Sequence, residues 1–231
     1  MNDSLDLGLK EKVAIIAGAG AKGDGIGNGR AAAILLAEAG AKVVVADKDQ
    51  ELAEKTVQMI SERKGHAVSV AADLTKATDC EKVVEYALNH YGRLDVLDNN
   101  IGIASNLSVV EESEEYWDRV MAVNLKPMFL MSKYAIPAMI SSGGGGSIVN
   151  ISSISATRPK GLTAYSTSKG AVLSLTQAMA VDHGSDGIRV NCILPGPVYT
   201  PMVYASSSYL NQEGMSSEQR SQRQNASLLQ I

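Results

Sequence analysis

Short runs of β-branched residues alternate with helix-length segments along most of this chain, and that alternation leaves few folds open. The runs fall at 13–17, 42–46, 67–71, 96–99, 147–151 and 189–194, and segments with a helical apolar period lie between them at 27–39, 50–63, 79–90, 113–141 and 164–183. Strands that recur one helix apart cannot be joined by hairpins. They pair in parallel through right-handed crossovers, which put helices on both faces of the sheet. The expected fold class is therefore α/β: a doubly wound parallel sheet in a three-layer α/β/α sandwich, one domain over 1–231, with its ligand crevice outside the carboxyl ends of the strands. Four glycines in a row, Gly143 to Gly146, separate a helical segment from a strand and read as a turn.

The first strand runs into a loop of unusual glycine content, Ala17-Gly18-Ala19-Gly20-Ala21-Lys22-Gly23-Asp24-Gly25-Ile26-Gly27, and a helix follows at once. Glycines in a strand–turn–helix junction let the backbone approach a pyrophosphate seated on the helix N-terminus, the arrangement of Rossmann-type dinucleotide sites. At the end of the second strand Asp47 stands about 20 residues beyond the loop, where a carboxylate accepts hydrogen bonds from a ribose diol and repels a 2'-phosphate. That points to NAD rather than NADP, although Lys22 and Lys48 could each reach a phosphate and Asp47 could instead cap the helix starting near Asp49.

Composition removes several function classes. A chain of 231 residues that is 45% hydrophobic and 20% charged suits one ordinary globular domain with a well-buried core. A net charge of −4 offers no basic field for nucleic acid or anionic lipid. Cys80 and Cys192 have no metal or redox spacing, so no metal site is expected, and both thiols should be reduced. The N-terminus lacks a signal-peptide pattern, and no apolar run approaches the roughly 18 residues of a membrane span. A cytoplasmic protein with no membrane or nucleic-acid partner is expected.

Tyr165 and Lys169 are four residues apart in a helical segment and so share one face, where an ammonium group can stabilise a phenolate and lower a tyrosine pKa that is ordinarily about 10. Alone this spacing is common by chance. It gains meaning from what surrounds it in order: Gly18 and Gly25-Ile26-Gly27, Asp73-Leu74 after the third strand, Asn99-Asn100-Ile101-Gly102 after the fourth, Asn124 in a helix interior, Asn150-Ile151-Ser152-Ser153, and Pro195-Gly196-Pro197-Val198-Tyr199-Thr200. With these motifs the chain resembles the short-chain dehydrogenase/reductase family from about residue 12 to residue 202.

The resemblance implies an NAD-dependent oxidoreductase that moves a hydride between the cofactor and a secondary alcohol or ketone. Asn124, Ser153, Tyr165 and Lys169 are the implied catalytic residues. Tyr165 is the general acid or base, and Lys169 lowers its pKa and holds the ribose. Ser153 stabilises the substrate oxygen, and Asn124 positions a water that relays the proton. The implied cofactor contacts are Gly18, Gly25, Ile26, Gly27, Asp47, Asp73, Leu74, Asn100, Ile101, Gly102, Tyr165, Lys169, Pro195, Gly196, Val198 and Thr200. A homo-oligomer, dimer or tetramer, is also implied.

Several departures stand beside the resemblance. Matching Asn150-Ile151-Ser152-Ser153 to the family's motif selects Ser153, whereas counting back from Tyr165 by the family's interval selects Ser152. Ser153 is preferred, because a one-residue deletion in the following loop leaves the face of the strand unchanged. The glycine loop is three residues longer than the family's pattern, and Asp98 stands where an apolar strand residue is usual. The family normally continues past this point with another helix and a strand, and the expectation is that they are absent, in a chain either naturally short or truncated. Residues 201–231, low in apolar content, suit a lid over the substrate. The alternative function is a dinucleotide-binding protein with weak or no catalysis because that C-terminal part is absent.

Overall fold

The computed structural model describes residues 7–22, 25–159, 161–198 and 200–201. Six strands form one parallel sheet: β1 (Val13–Ala17), β2 (Lys42–Asp47), β3 (His66–Ala71), β4 (Val96–Asn99), β5 (Gly146–Ile151) and β6 (Ile188–Ile193). Their order is β3-β2-β1-β4-β5-β6. The chain winds outward from β1 to β3, then returns to β1's other side for β4. The order therefore reverses between β1 and β4, and the connections leaving those two strands diverge and open a crevice at their carboxyl ends.

Among the described residues six helices cover the sheet: α1 (Asn28–Glu38), α2 (Gln50–Glu62), α3 (Ala77–Tyr91), α4 (Glu114–Asn124), α5 (Lys126–Ser141) and α6 (Thr163–His183), with single 3-10 turns at Ile154–Ala156 and Gly184–Asp186. Alternation along the strands splits the core. Val13, Ile15 and Ala17 of β1 join residues of α3 and α5 and Met179 of α6 in one cluster, while Ala14 and Ile16 join α1 and α2 in the other. All five residues of β1 are fully buried, as expected of a central parallel strand whose sequence is continuously apolar.

Each expected strand is present, but the single long helix expected at 113–141 is two. Pro127 has no N–H to give the Val123 carbonyl, and Leu125 takes φ −116°, ψ −51° between α4 and α5. The interruption frees the end of α4, so Asn124 can turn its side chain out of the helix toward the loop after β4. Helix α6 is entered through another irregularity: Gly161 at φ +78° and Leu162 at φ +61°, two successive left-handed residues that swing the chain into Thr163. Of the lid expected at 201–231 only Pro201 is described; the rest, and the question of a missing strand, lie outside the described residues.

Asp98 is buried in β4, between Ile16 of β1 and Val149 of β5. Its Oδ2 accepts a hydrogen bond of 3.4 Å from Asn100 Nδ2, and among the described residues Oδ1 has no partner. Burial pushes its pKa up to about 6, against a small lowering by Asn100. A carboxyl whose folded pKa lies above its unfolded value favours the fold fully below the unfolded value, and that contribution is lost as pH rises through about 6. At neutral pH the deficit is on the order of 2–3 kcal/mol. Asp98→Asn is expected to raise Tm by about 5 °C at pH 8 and by much less at pH 4.5. Thermal unfolding at the two pH values checks this, and an equal gain at both would show that titration of Asp98 is not the cause.

Candidate active site

The junction of β1 with α1 builds the floor of the crevice. Gly18 leaves the strand at φ +85°, donates its N–H to the Ala46 carbonyl at 2.8 Å, and sits so near Ile101 that a Cβ would lie 3.1 Å from the Ile101 Cα. The closest packing is at Gly29, where a Cβ would lie 2.3 Å from the Gly18 carbonyl oxygen. The glycine that lets α1 lie on the strand is thus Gly29. Gly27 is instead the N-cap of α1, with 3.4 Å of clearance to Ala21. Ile26 is 45% exposed, and Gly25 lies beneath Pro201, where a Cβ would be 2.4 Å from the Pro201 Cγ. No side chain caps α1 and its first turn holds no acidic residue, so its leading N–H groups remain available to an anion.

Asp47 ends β2 beside this loop. Its Oδ2 accepts from the Gly20 N–H at 2.8 Å and its Oδ1 from the Asp49 N–H at 3.1 Å. Asp49, not Asp47, caps α2, accepting from the Leu52 N–H at 3.2 Å. Asp47 therefore supports the loop and has lone pairs left for further donors. Asp73 makes a tight turn, accepting from the Thr75 N–H and hydroxyl; the Thr75 hydroxyl bond above all, with Lys76 3.3 Å away, holds its pKa below the usual value. It does not cap α3, whose N-cap is Lys76. The Leu74 side chain is in the core.

Beyond β4, Asn100 anchors its N–H on the Ala17 carbonyl at 2.8 Å, which holds the divergent loops together. Asn99 points to the other face, donating to Asn150 Oδ1, and Asn150 donates to the Thr176 hydroxyl. Asn124, fully buried, clasps one residue of that loop: its Oδ1 accepts from the Ile103 N–H at 2.7 Å and its Nδ2 donates to the Ile103 carbonyl and to the Ser168 hydroxyl, each at 3.0 Å. Gly102 then lies where a Cβ would be 3.3 Å from the Lys169 Nζ and 3.5 Å from the Asn124 Oδ1.

Lys169 is buried and its Nζ donates to the Ile151 carbonyl at 2.8 Å. Burial lowers its pKa to about 8. Tyr165 is one turn earlier, with Nζ 5.9 Å from its ring centroid, and the nearby Ser153 hydroxyl acts to lower its pKa. The two neighbouring serines differ in their partners. Ser152 donates to the Lys169 carbonyl at 2.7 Å, whereas Ser153 accepts from the Ser155 N–H at 3.2 Å and faces Tyr165. Contrary to the expected lowering by Lys169, the Tyr165 pKa is raised: desolvation outweighs the Ser153 hydrogen bond, and the ammonium is directed at Ile151 rather than at the phenol oxygen.

The 195–200 segment reaches the same crevice from β6. The Pro195 carbonyl accepts from the Ile154 N–H at 3.0 Å, tying it to the Ser153 turn. Gly196 is exposed, Val198 half-buried and Thr200 buried. The structure so brings together the glycine loop, Asp47, Asn100, Gly102, Asn124, Ser153, Tyr165, Lys169 and Thr200 along the carboxyl ends of the strands; Asp73 stands beyond β3. Sequence reasoning missed Gly29, the Ser168 partner of Asn124, and Arg30. An arginine on the otherwise apolar stripe Arg30, Ala33, Ile34, Ala37 was the available signal for the last.

A family model described as short chain dehydrogenase matches residues 12–210. An uncharacterised oxidoreductase of Thermotoga maritima is 42% identical over 192 residues, which span 82% of this chain and 73% of that protein. Cyclohexanol dehydrogenase of an Acinetobacter species is 38% identical over 197 residues, 84% of this chain and 76% of that protein. Among solved structures, 7α-hydroxysteroid dehydrogenase complexed with NADH and 7-oxo glycochenodeoxycholic acid is similar with a TM-score of 0.80 at 33% identity, covering 85% of this chain and 75% of that one. With matches across most of its length and the glycine loop, serine, tyrosine and lysine gathered in one crevice, the chain belongs to the short-chain dehydrogenase/reductase family of oxidoreductases.

Proposed function

We propose that the protein is an NAD-dependent dehydrogenase or reductase that interconverts a secondary alcohol and its ketone. The observation that carries this reading is the cluster of buried Ser153 and Lys169 with half-buried Tyr165, whose ring centroid lies 5.9 Å from the Lys169 Nζ. The residues fit a dinucleotide: uncapped α1 amides for the pyrophosphate, the Asp47 carboxylate for the ribose diol, and Lys169 for the second ribose. When bound, the nicotinamide would supply the hydride chemistry, and no metal is needed.

Tyr165 donates its proton to the carbonyl oxygen in reduction and accepts the alcohol proton in oxidation. Ser153 shares its hydrogen bonds between Tyr165 and the substrate oxygen, stabilising the charge that develops there. Asn124 holds the Ile103 peptide, and with it the wall opposite Lys169. Cyclohexanol and 7-oxo bile acid, the compounds in the relatives' names, are both cyclic with a ring hydroxyl or ketone. A ring-borne secondary alcohol is the substrate class to assay first.

Tyr165→Phe is expected to lower kcat by about 10²- to 10⁴-fold while NADH still binds, measured by turnover and by NADH fluorescence titration. Near-normal turnover would remove the tyrosine from the mechanism. Ser153→Ala is expected to cost about 10- to 1000-fold in kcat and Ser152→Ala far less, since the Ser152 hydroxyl is committed to the Lys169 carbonyl. The reverse order in the same turnover assay would transfer the role to Ser152. The unaltered protein should favour NAD over NADP in kcat/KM by about tenfold or more, and Asp47→Ser should narrow that gap, because a carboxylate beside a 2'-phosphate is repelled. A native preference for NADP would overturn the reading of Asp47.

A further inference from the structure

Arg30 is fully buried in the first turn of α1, at the base of the glycine loop. Among the described residues its guanidinium reaches acceptors on both sides of the loop. Nη1 donates to the Gly25 carbonyl at 2.6 Å and Nη2 to the Ala21 carbonyl at 2.9 Å; Nε donates to the Thr56 hydroxyl at 2.9 Å, and Nη2 also reaches the Leu52 carbonyl at 3.4 Å. Thr56 in turn donates to the Ala19 carbonyl at 2.9 Å. Asp47, which holds the Gly20 N–H, is the carboxylate whose charge acts on the guanidinium. Four successive stations of the loop, at residues 19, 20, 21 and 25, are thereby fastened by the Arg30, Thr56 and Asp47 side chains.

We propose that Arg30 is the positioning residue for the dinucleotide loop, setting the span between Ala21 and Gly25 so that the α1 amides face the pyrophosphate before it arrives. This rests on the dinucleotide reading above and goes beyond it, because Arg30 makes no cofactor contact itself. The chemistry favours the role over simple helix packing. Leu or Met at position 30 would fill the stripe of Ala33, Ile34 and Ala37 without the cost of desolvating a cation. The planar fork is needed because the two carbonyls must be met at once by one rigid group; an ammonium is a point donor and cannot span them. A fastened loop spares the cofactor the ordering cost, so the gain appears as affinity.

The test uses the full chain with Arg30→Met, Arg30→Lys and Thr56→Val, NADH titration by fluorescence, steady-state kinetics, and amide hydrogen exchange without cofactor. Arg30→Met is expected to raise the NADH Kd by about tenfold or more, with the loss in KM for the dinucleotide rather than in kcat, and with faster exchange at residues 18–27 but not in β4 and β5. Arg30→Lys should recover little of the affinity, and Thr56→Val should raise Kd by about threefold. Binding within twofold of the parent in Arg30→Met, or unchanged exchange over 18–27, overturns the proposal. Should Arg30→Met fail to fold, as read by circular dichroism, the other two variants decide, and parent-like Kd in both overturns it. If the unaltered chain does not bind NADH, the dinucleotide reading falls; if it binds and the variants bind equally, only the role of Arg30 falls.

Discussion

Helix α1 can aim its amino end into the crevice because only a hydrogen atom separates Gly29 from the Gly18 carbonyl. A methyl group there would lie 2.3 Å from that oxygen, so any other residue lifts the helix from β1. The consequences run outward from this contact. With α1 seated, its first-turn amides line up over the carboxyl end of β1, and Arg30 is carried beneath the glycine loop where Ala21, Gly25 and Thr56 accept its protons. Thr56 and Leu52 belong to α2, so the same guanidinium bonds couple α1 to α2 and, through Asp47, to the end of β2. Half of the crevice is thus one hydrogen-bonded unit seated on a glycine contact.

The other half is organised around a break rather than a contact. Pro127 ends the helix that a continuous apolar pattern would have prolonged, and Asn124, buried at the end of α4, uses both amide atoms on Ile103. That clasp fixes the loop after β4 against α6 through Ser168, and Gly102 comes to rest between the clasp and Lys169. The two halves meet where Asn100 bonds the Ala17 carbonyl. The groups proposed to bind the dinucleotide thus come from the β1 to β2 side and those proposed to move the proton from the β4 to β6 side, with the reversal in strand order between them.

Much of this was legible in the sequence, for identifiable reasons. The strands were readable because central parallel strands are apolar on both faces, as Val13 to Ala17 is. Tyr165, Lys169 and Ser153 were readable as a set because their order along the chain narrows chance, and the choice between Ser152 and Ser153 turned on which face of β5 each hydroxyl takes. What escaped depended on distances that no spacing reveals. Gly27 and Gly29 both fit a pattern, and only the approach to Gly18 separates them. Arg30 on an apolar stripe looks like a stripe edge until its acceptors, which lie up to 26 residues away, are assembled around it. The split of 113–141 was visible in Pro127, but the apolar period running through it was the stronger pattern.

The tyrosine pKa was misjudged for a more instructive reason. Helical spacing established that Tyr165 and Lys169 share a face, and from that an ammonium beside a phenol was inferred. Burial acts on both groups, however, and in opposite senses: it raises Tyr165 and lowers Lys169 to about 8. Each shift disfavours the charged form, so desolvation alone drives the pair toward neutral phenol and neutral amine and works against the phenolate that oxidation requires. Ser153 opposes the rise at Tyr165, and Lys169 does not, because its Nζ is spent on the Ile151 carbonyl. Any positive charge entering the crevice lowers both pKa values, favouring phenolate while further disfavouring ammonium. Any diol oxygen accepting from Nζ does the opposite for Lys169 and restores its charge. The side chains lining the crevice thus favour a protonated Tyr165, and in the proposed mechanism its conversion to a base depends on the groups that a bound ligand brings to Lys169.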